Sequence, residues 1–233
     1  MQRFKNILKF IGLIFLTLSV NIFPMRLIAT QETTPTYMQW LASLGYLLVT
    51  GIVLVLVWKK YKNKDEKEKE KLPFTWKDFG IALLFYLATR LVAIGGTFLI
   101  QMVTGNATLA NDAALTATNE QLSRMFPLYF VAFHLAIGIF APILEELVFR
   151  GFFGRYFFKN NRKWLKLTVS SSIFGLLHIF YPIEFIVYFL LGAIFYLAYD
   201  RRENIVDSIV VHLLNNGLLV IVSVVNYLIL MLG

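Results

Sequence analysis

Seven uninterrupted apolar runs take up most of this chain, at roughly residues 7–29, 38–58, 79–103, 127–149, 165–181, 183–199 and 204–232. A hydrocarbon core ~30 Å thick needs about 20 helical residues to cross it. The first four runs each supply that length. Inside the core every backbone amide must be paired within the protein, which leaves helices and closed barrels. Barrel strands alternate apolar and polar residues, whereas these runs are continuous. The chain is therefore expected to be all-α, a polytopic helical membrane bundle with seven transmembrane helices. The fifth and sixth runs are short and meet at a tight turn, Tyr181-Pro182. The last run is too long for one upright span. It either tilts or breaks at Asn215-Asn216-Gly217, and a break would make eight spans.

Composition narrows the function classes. Of 233 residues, 58% are hydrophobic and 15% charged, and cysteine is absent. That excludes a disulfide scaffold, thiolate metal sites and a cysteine nucleophile. The net charge of +8 is best tested by position. With the N-terminus in the cytoplasm, 19 of the 22 basic residues fall on the cytoplasmic side, and only Arg26, Arg90 and Arg124 fall elsewhere. This is the positive-inside pattern. The basic residues are thus assigned to membrane topology, with the lipid bilayer as partner and no nucleic acid. The first run exceeds a signal-peptide core, and Ile28-Ala29-Thr30 is a poor cleavage site, so an uncleaved first helix is expected. The Lys–Glu run at 59–71 reads as a solvated mixed-charge loop, and the polar 105–125 segment as an outer loop with a short interfacial helix. Gly12, Gly95 and Gly96 are expected at helix contacts. Two parts follow: 1–78, a two-helix membrane segment with a basic cytoplasmic loop, and 79–233, a core whose motifs lie within 126–220.

Ionisable groups inside apolar runs are costly and mark function by default. Here they are Arg90, His134, Glu145, Glu146, Arg150, His178, Asp207 and His212, accompanied by Asn215 and Asn216. Glu146 and Arg150 are four apart, share a helix face and can pair. Glu145 is turned about 100° away and is left free to face a cavity, as a general base would be. Phe174 and His178 share a face, as do His212 and Asn216, whose side chains can both donate to an oxyanion. At 1.5 Å per residue, Glu145 and His178 both fall about 15 Å from one membrane face, and His212 about 12 Å. A buried carboxylate, two histidines and an amide at one depth make a hydrolytic constellation or a metal site. Arg90 has no motif partner; Glu184, Asp207 or a substrate carboxylate are its candidates. His134 lies about 16 Å from Glu145 along the helix and is read as structural.

Glu145-Glu146-x-x-x-Arg150, Phe174-x-x-x-His178 and His212-x-x-x-Asn216, in that order, resemble the CAAX protease and bacteriocin-processing family, which includes the Ras-converting prenyl endopeptidases. The resemblance covers about residues 126–220. It implies a helical membrane bundle around a cavity open to the cytoplasm and an intramembrane endopeptidase acting on a peptide or membrane-protein substrate. It further implies that Glu145 and His178 activate water, that His212 and Asn216 hold the oxyanion, and that Glu146, Arg150 and Phe174 support them. The family has been read both as metalloprotease and as glutamate protease. Glu145, His178 and His212 could ligate Zn²⁺, but the same-helix His-Glu-x-x-His arrangement is missing, so the metal-free reading is preferred. The Lys-, Glu- and Phe-rich, cysteine-free style looks bacterial. Some family members resemble bacteriocin immunity proteins, so an immunity protein using the same cavity is the alternative.

Overall fold

A computed structural model describes residues 2–63, 73–105, 109, 124–158 and 162–232. Among these residues all regular structure is helical. In chain order the helices are α1 (Gln2–Ala29), α2 (Thr36–Lys62), α3 (Trp76–Thr104), α4 (Pro127–Phe157), α5 (Lys163–Leu176), α6 (Phe185–Asp200) and α7 (Ile205–Leu232). Most of the Lys–Glu run and of the 105–125 segment lies outside the described residues.

Six of the helices are long and apolar enough to cross a membrane, α6 together with the short turn Pro182–Glu184 that precedes it. The expected helical membrane bundle is present, but seven or eight spans are not reached among the described residues. The difference lies in α5, which has 14 residues and extends only about 21 Å at 1.5 Å per residue. Its last turn tightens: the Leu177 N–H reaches the Phe174 carbonyl and the His178 N–H reaches Gly175. At the other doubtful place, Asn215-Asn216-Gly217, α7 continues unbroken.

Apolar side chains such as Phe15, Leu48, Leu84 and Leu91 point outward and are at least 65% exposed, as lipid-facing surface requires. The most enclosed helix is α4, where Ala132, Leu144, Leu147 and Phe152 are wholly buried. Close approaches rest on small residues. A Cβ on Gly151 would lie 2.7 Å from the Tyr61 ring, and one on Gly96 would lie 2.6 Å from Val187. Gly96 is thus a helix contact as expected, whereas Gly12 and Gly95 face open space.

Two turns of α4 are π-helical, Ala136–Phe140 and Leu147–Phe152. In the first, the Ala141 N–H bonds back to Ala136, one residue beyond its α-helical partner Ile137. The next donor in line would be residue 142, a proline without an N–H. The Ile137 carbonyl is thereby left over, and the Asn216 amide on α7 donates to it at 2.8 Å. In the second, the Phe153 N–H bonds to Val148 and bypasses Phe149, whose carbonyl accepts from Ser170 on α5 at 3.0 Å. Each π turn thus offers a carbonyl that a neighbouring helix takes up.

The starts of α3 and α7 and the end of α6 are joined by charge. Arg201 bridges Asp78 (2.7 Å) and Asp207 (2.9 Å), and Arg202 does the same at 2.9 and 2.6 Å. Thr75 and Asp78 cap α3 reciprocally. Asp207, one of the anomalous charges in the sequence, is therefore half of a helix-end clamp.

Candidate active site

The short α-helical stretch between the two π turns carries Glu145 and Glu146, and π turns recur at functional sites. Glu146 and Arg150 pair at 3.1 Å with fully buried side chains. The Arg150 guanidinium also donates to the Gly192 carbonyl at 2.8 Å and lies over the rings of Phe174 and Phe195. Aromatic faces are a favourable bed for a desolvated cation. Phe174 does more than share a face with His178. It stacks on that imidazole with ring centres 4.2 Å apart, meets His212 edge-on at 6.0 Å and covers Arg150 at 5.0 Å.

Glu145 is turned away from the Arg150 pair and faces both histidines. His178 Nε2 lies 3.6 Å from Glu145 Oε2, and His212 Nε2 lies 3.9 Å from the same oxygen. The other ring nitrogens are tied. His178 Nδ1 is 2.7 Å from the Phe174 carbonyl oxygen, and His212 Nδ1 is 2.9 Å from Glu146 Oε1. A carbonyl and an ion-paired carboxylate accept hydrogen bonds, so in both rings Nδ1 carries the hydrogen. Nε2 of each ring therefore faces Glu145, with a lone pair when the ring is neutral and with an N–H when it is an imidazolium. Glu146 thus orients His212 as well as pairing with Arg150, a contact that the i, i+4 spacing gives no hint of. His212 can donate from Nε2 only as an imidazolium. Asn216 gives one amide hydrogen to Ile137 and accepts from Asn215 at 3.0 Å, which leaves its second amide hydrogen for a ligand.

Glu145, His178, His212 and Asn216 line one cavity of about 190 Å³. So four groups nominated from three motifs do come together, carried by α4, α7 and the turn that ends α5. Arg90 lines the same cavity. Its side-chain partner is the amide oxygen Oδ1 of Asn215 rather than Glu184 or Asp207, which are engaged with the Phe180 and Tyr181 amides and with Arg201 and Arg202. His134 is bound to the Phe130 carbonyl and to Ser223 and is not among the residues lining this cavity.

One site residue was missed by sequence reasoning: Asn21 on α1, which donates to Glu145 Oε1 at 3.2 Å. Asn215, noted in the sequence only as polar company, joins Arg90 to Asn216. The available signal was an uncharged amide inside an apolar run; a search restricted to ionisable groups passes over Asn21. Glu145, His178 and His212 have the donor types of a zinc site. Among the described residues, however, no group of three or more His, Cys, Asp or Glu side chains is arranged to hold a metal ion.

Residues 127–218 match the family described as Type II CAAX prenyl endopeptidase Rce1-like. That span holds Glu145, Glu146, Arg150, Phe174, His178, His212 and Asn216, and excludes Asn21 and Arg90. The chain is 34% identical to the membrane-embedded CAAX protease MroQ of Staphylococcus aureus (strain USA300) over 191 residues, 77% of this chain and 72% of that protein. It is 30% identical to the UPF0177 protein YaiH of Lactococcus lactis subsp. lactis (strain IL1403) over 230 residues, 92% and 89% of the two chains. The UPF0177 protein YxdF of the same organism is 26% identical over 165 residues, 71% of this chain and 86% of that one. No solved structure matches. With six membrane-length helices and a match that extends over most of both chains, this bacterial multi-pass membrane protein belongs to the Rce1-like CAAX protease family.

Proposed function

We propose that the protein is an intramembrane endopeptidase that hydrolyses a peptide bond near the cytoplasmic face, with Glu145 and His178 activating the attacking water. One observation carries this reading: a single carboxylate oxygen, Glu145 Oε2, is faced by two imidazole Nε2 atoms at 3.6 and 3.9 Å inside a cavity. A water held between Glu145 Oε2 and His178 Nε2 gives its proton to Glu145 as its oxygen adds to the substrate carbonyl carbon. Glu145 then passes that proton to the leaving amine as the C–N bond breaks. The oxyanion formed in between is held by the free Asn216 amide hydrogen and by His212 as an imidazolium, supported from behind by Glu146. Membership of a family of membrane proteases supports the same reading.

Charge supports the cytoplasmic placement. Arg150 is buried and leaves the loop inventory, but an N-terminus in the cytoplasm still assigns 18 of the 22 basic residues of the sequence to that side. The substrate is a peptide or a membrane protein.

Mass spectrometry of peptides incubated with the purified protein in lipid nanodiscs tests the reading. Wild type is expected to generate product, and Glu145→Ala to lower the rate by roughly 100- to 10,000-fold. Undiminished cleavage by Glu145→Ala would overturn it. A chelator arm addresses the metal: activity lost on chelation and restored by Zn²⁺ would transfer water activation from Glu145 and His178 to an ion.

A further inference from the structure

Glu145 and His178 face a second cavity as well. It measures about 320 Å³ and lies between one stripe of α1 and the turn that ends α5, at residues 177–180. Ile14, Leu18, Asn21 and Met25 recur at helical spacing along that stripe. Asn21, Met25, Glu145 and His178 line both cavities. The two spaces therefore meet at the carboxylate proposed to carry the chemistry, and Asn21 stands at their junction.

The chemistry of Asn21 is unbalanced there. A carboxylate only accepts, so the amide hydrogens of Asn21 must point to Glu145, as they do at 3.2 Å. Asn21 Oδ1 is consequently turned away; it is buried and has no hydrogen-bond partner. A buried acceptor without a donor is costly. An extended peptide in an apolar groove has the complementary defect, a backbone N–H with no acceptor.

We propose that the substrate peptide threads from one cavity into the other past Glu145, with residues on opposite sides of the scissile bond in different cavities and one backbone N–H donated to Asn21 Oδ1. The helix that supplies Asn21 lies outside the span that matches the family. The bond cleavage rests on the peptidase reading; the path of the peptide is measured independently of it.

The probe is an apolar peptide of about ten residues, made as a set with photoreactive benzoylphenylalanine at each position in turn. It is crosslinked to the protein in nanodiscs and mapped by mass spectrometry, with cleavage followed in parallel. Positions toward one end of the peptide are expected to attach to residues 14–22 or 177–180, and positions toward the other end to residues 187–195 or 215–219. Leu18→Trp, which fills the second cavity, is expected to abolish the first set of attachments and any cleavage. A second peptide set carries an N-methyl group at each amide in turn. One position is expected to weaken capture roughly five- to tenfold in wild type and to have no further effect in Asn21→Leu. Asn21→Ser replaces that variant if it does not fold. Attachment confined to one cavity, no attachment, or indifference to Leu18→Trp overturns the threading. N-methyl effects that are the same with and without Asn21 overturn its role. Attachment in both cavities without cleavage leaves the path standing and removes the peptidase reading; cleavage with attachment in one cavity does the reverse.

Discussion

Adjacent carboxylates one residue apart have opposite surroundings in this protein, and that difference is measurable. Glu146 faces an arginine whose side chain is fully buried, and an uncompensated buried charge costs about 3–5 kcal/mol. Glu145 faces a cavity, an amide and two imidazoles. Glu146→Ala is therefore expected to lower stability by ~3–5 kcal/mol, whereas Glu145→Ala unfolds close to wild type and loses only cleavage. Unfolding of both variants in the same detergent checks this; equal melting would show that Arg150 finds another partner. Much of this site was legible in the sequence, because charges in apolar runs are few and the i, i+4 rule divides the two glutamates correctly. The His212–Glu146 contact was not, because it joins residues 66 apart and local spacing carries no information about it. Asn21 stayed hidden for the same reason, 124 residues from the carboxylate it touches.

At the scale of the element, α4 depends on two π turns whose surplus carbonyls are taken by other helices. Ser170→Ala is expected to cost about 1–3 kcal/mol by leaving the buried Phe149 carbonyl without its donor, readable as a lower melting temperature. Pro142→Ala tests the other turn. It restores an N–H that can reach Ile137, competes with Asn216 and frees that amide to rotate. Stability is expected to hold while cleavage falls by roughly tenfold, a fraction of the cost of removing an oxyanion donor outright. Unchanged cleavage in Pro142→Ala would show that Asn216 is held without the Ile137 carbonyl. Hydrophobic runs located the ends of six membrane-length helices within about five residues, except at α4, which runs on from the expected 149 to Phe157. They could not show the π turns, since one extra residue per turn barely disturbs an apolar pattern. Nor could they show that α5 stops at Leu176: Leu177, Ile179 and Phe180 are as apolar as the helix they follow.

Across the whole molecule, the site exists only while four helices keep their places: α1 brings Asn21, α4 the glutamates, the end of α5 His178, and α7 His212 with Asn216. Among the described residues no ion pair joins α1 or α5 to α7; the start of α7 is held instead by Arg201 and Arg202, which share Asp78 and Asp207. Asp207 precedes His212 by five residues, about 7.5 Å along the axis, so a shift at the clamp is carried along a stiff helix to the imidazole. Asp207→Asn should therefore lower both stability and cleavage, unlike Glu145→Ala, which affects cleavage alone. Arg202→Gln removes the other side of the closest pair in the clamp, Arg202 Nη2 to Asp207 Oδ1 at 2.6 Å. If the four charges act as one unit, the double variant costs less than the two singles together, by a coupling of about 0.5–3 kcal/mol. Strictly additive losses, or Asp207→Asn protein that melts early yet cleaves at the wild-type rate, would mean that α7 is positioned by its packing against α3, α4 and α6 and that the clamp only closes the end of the bundle.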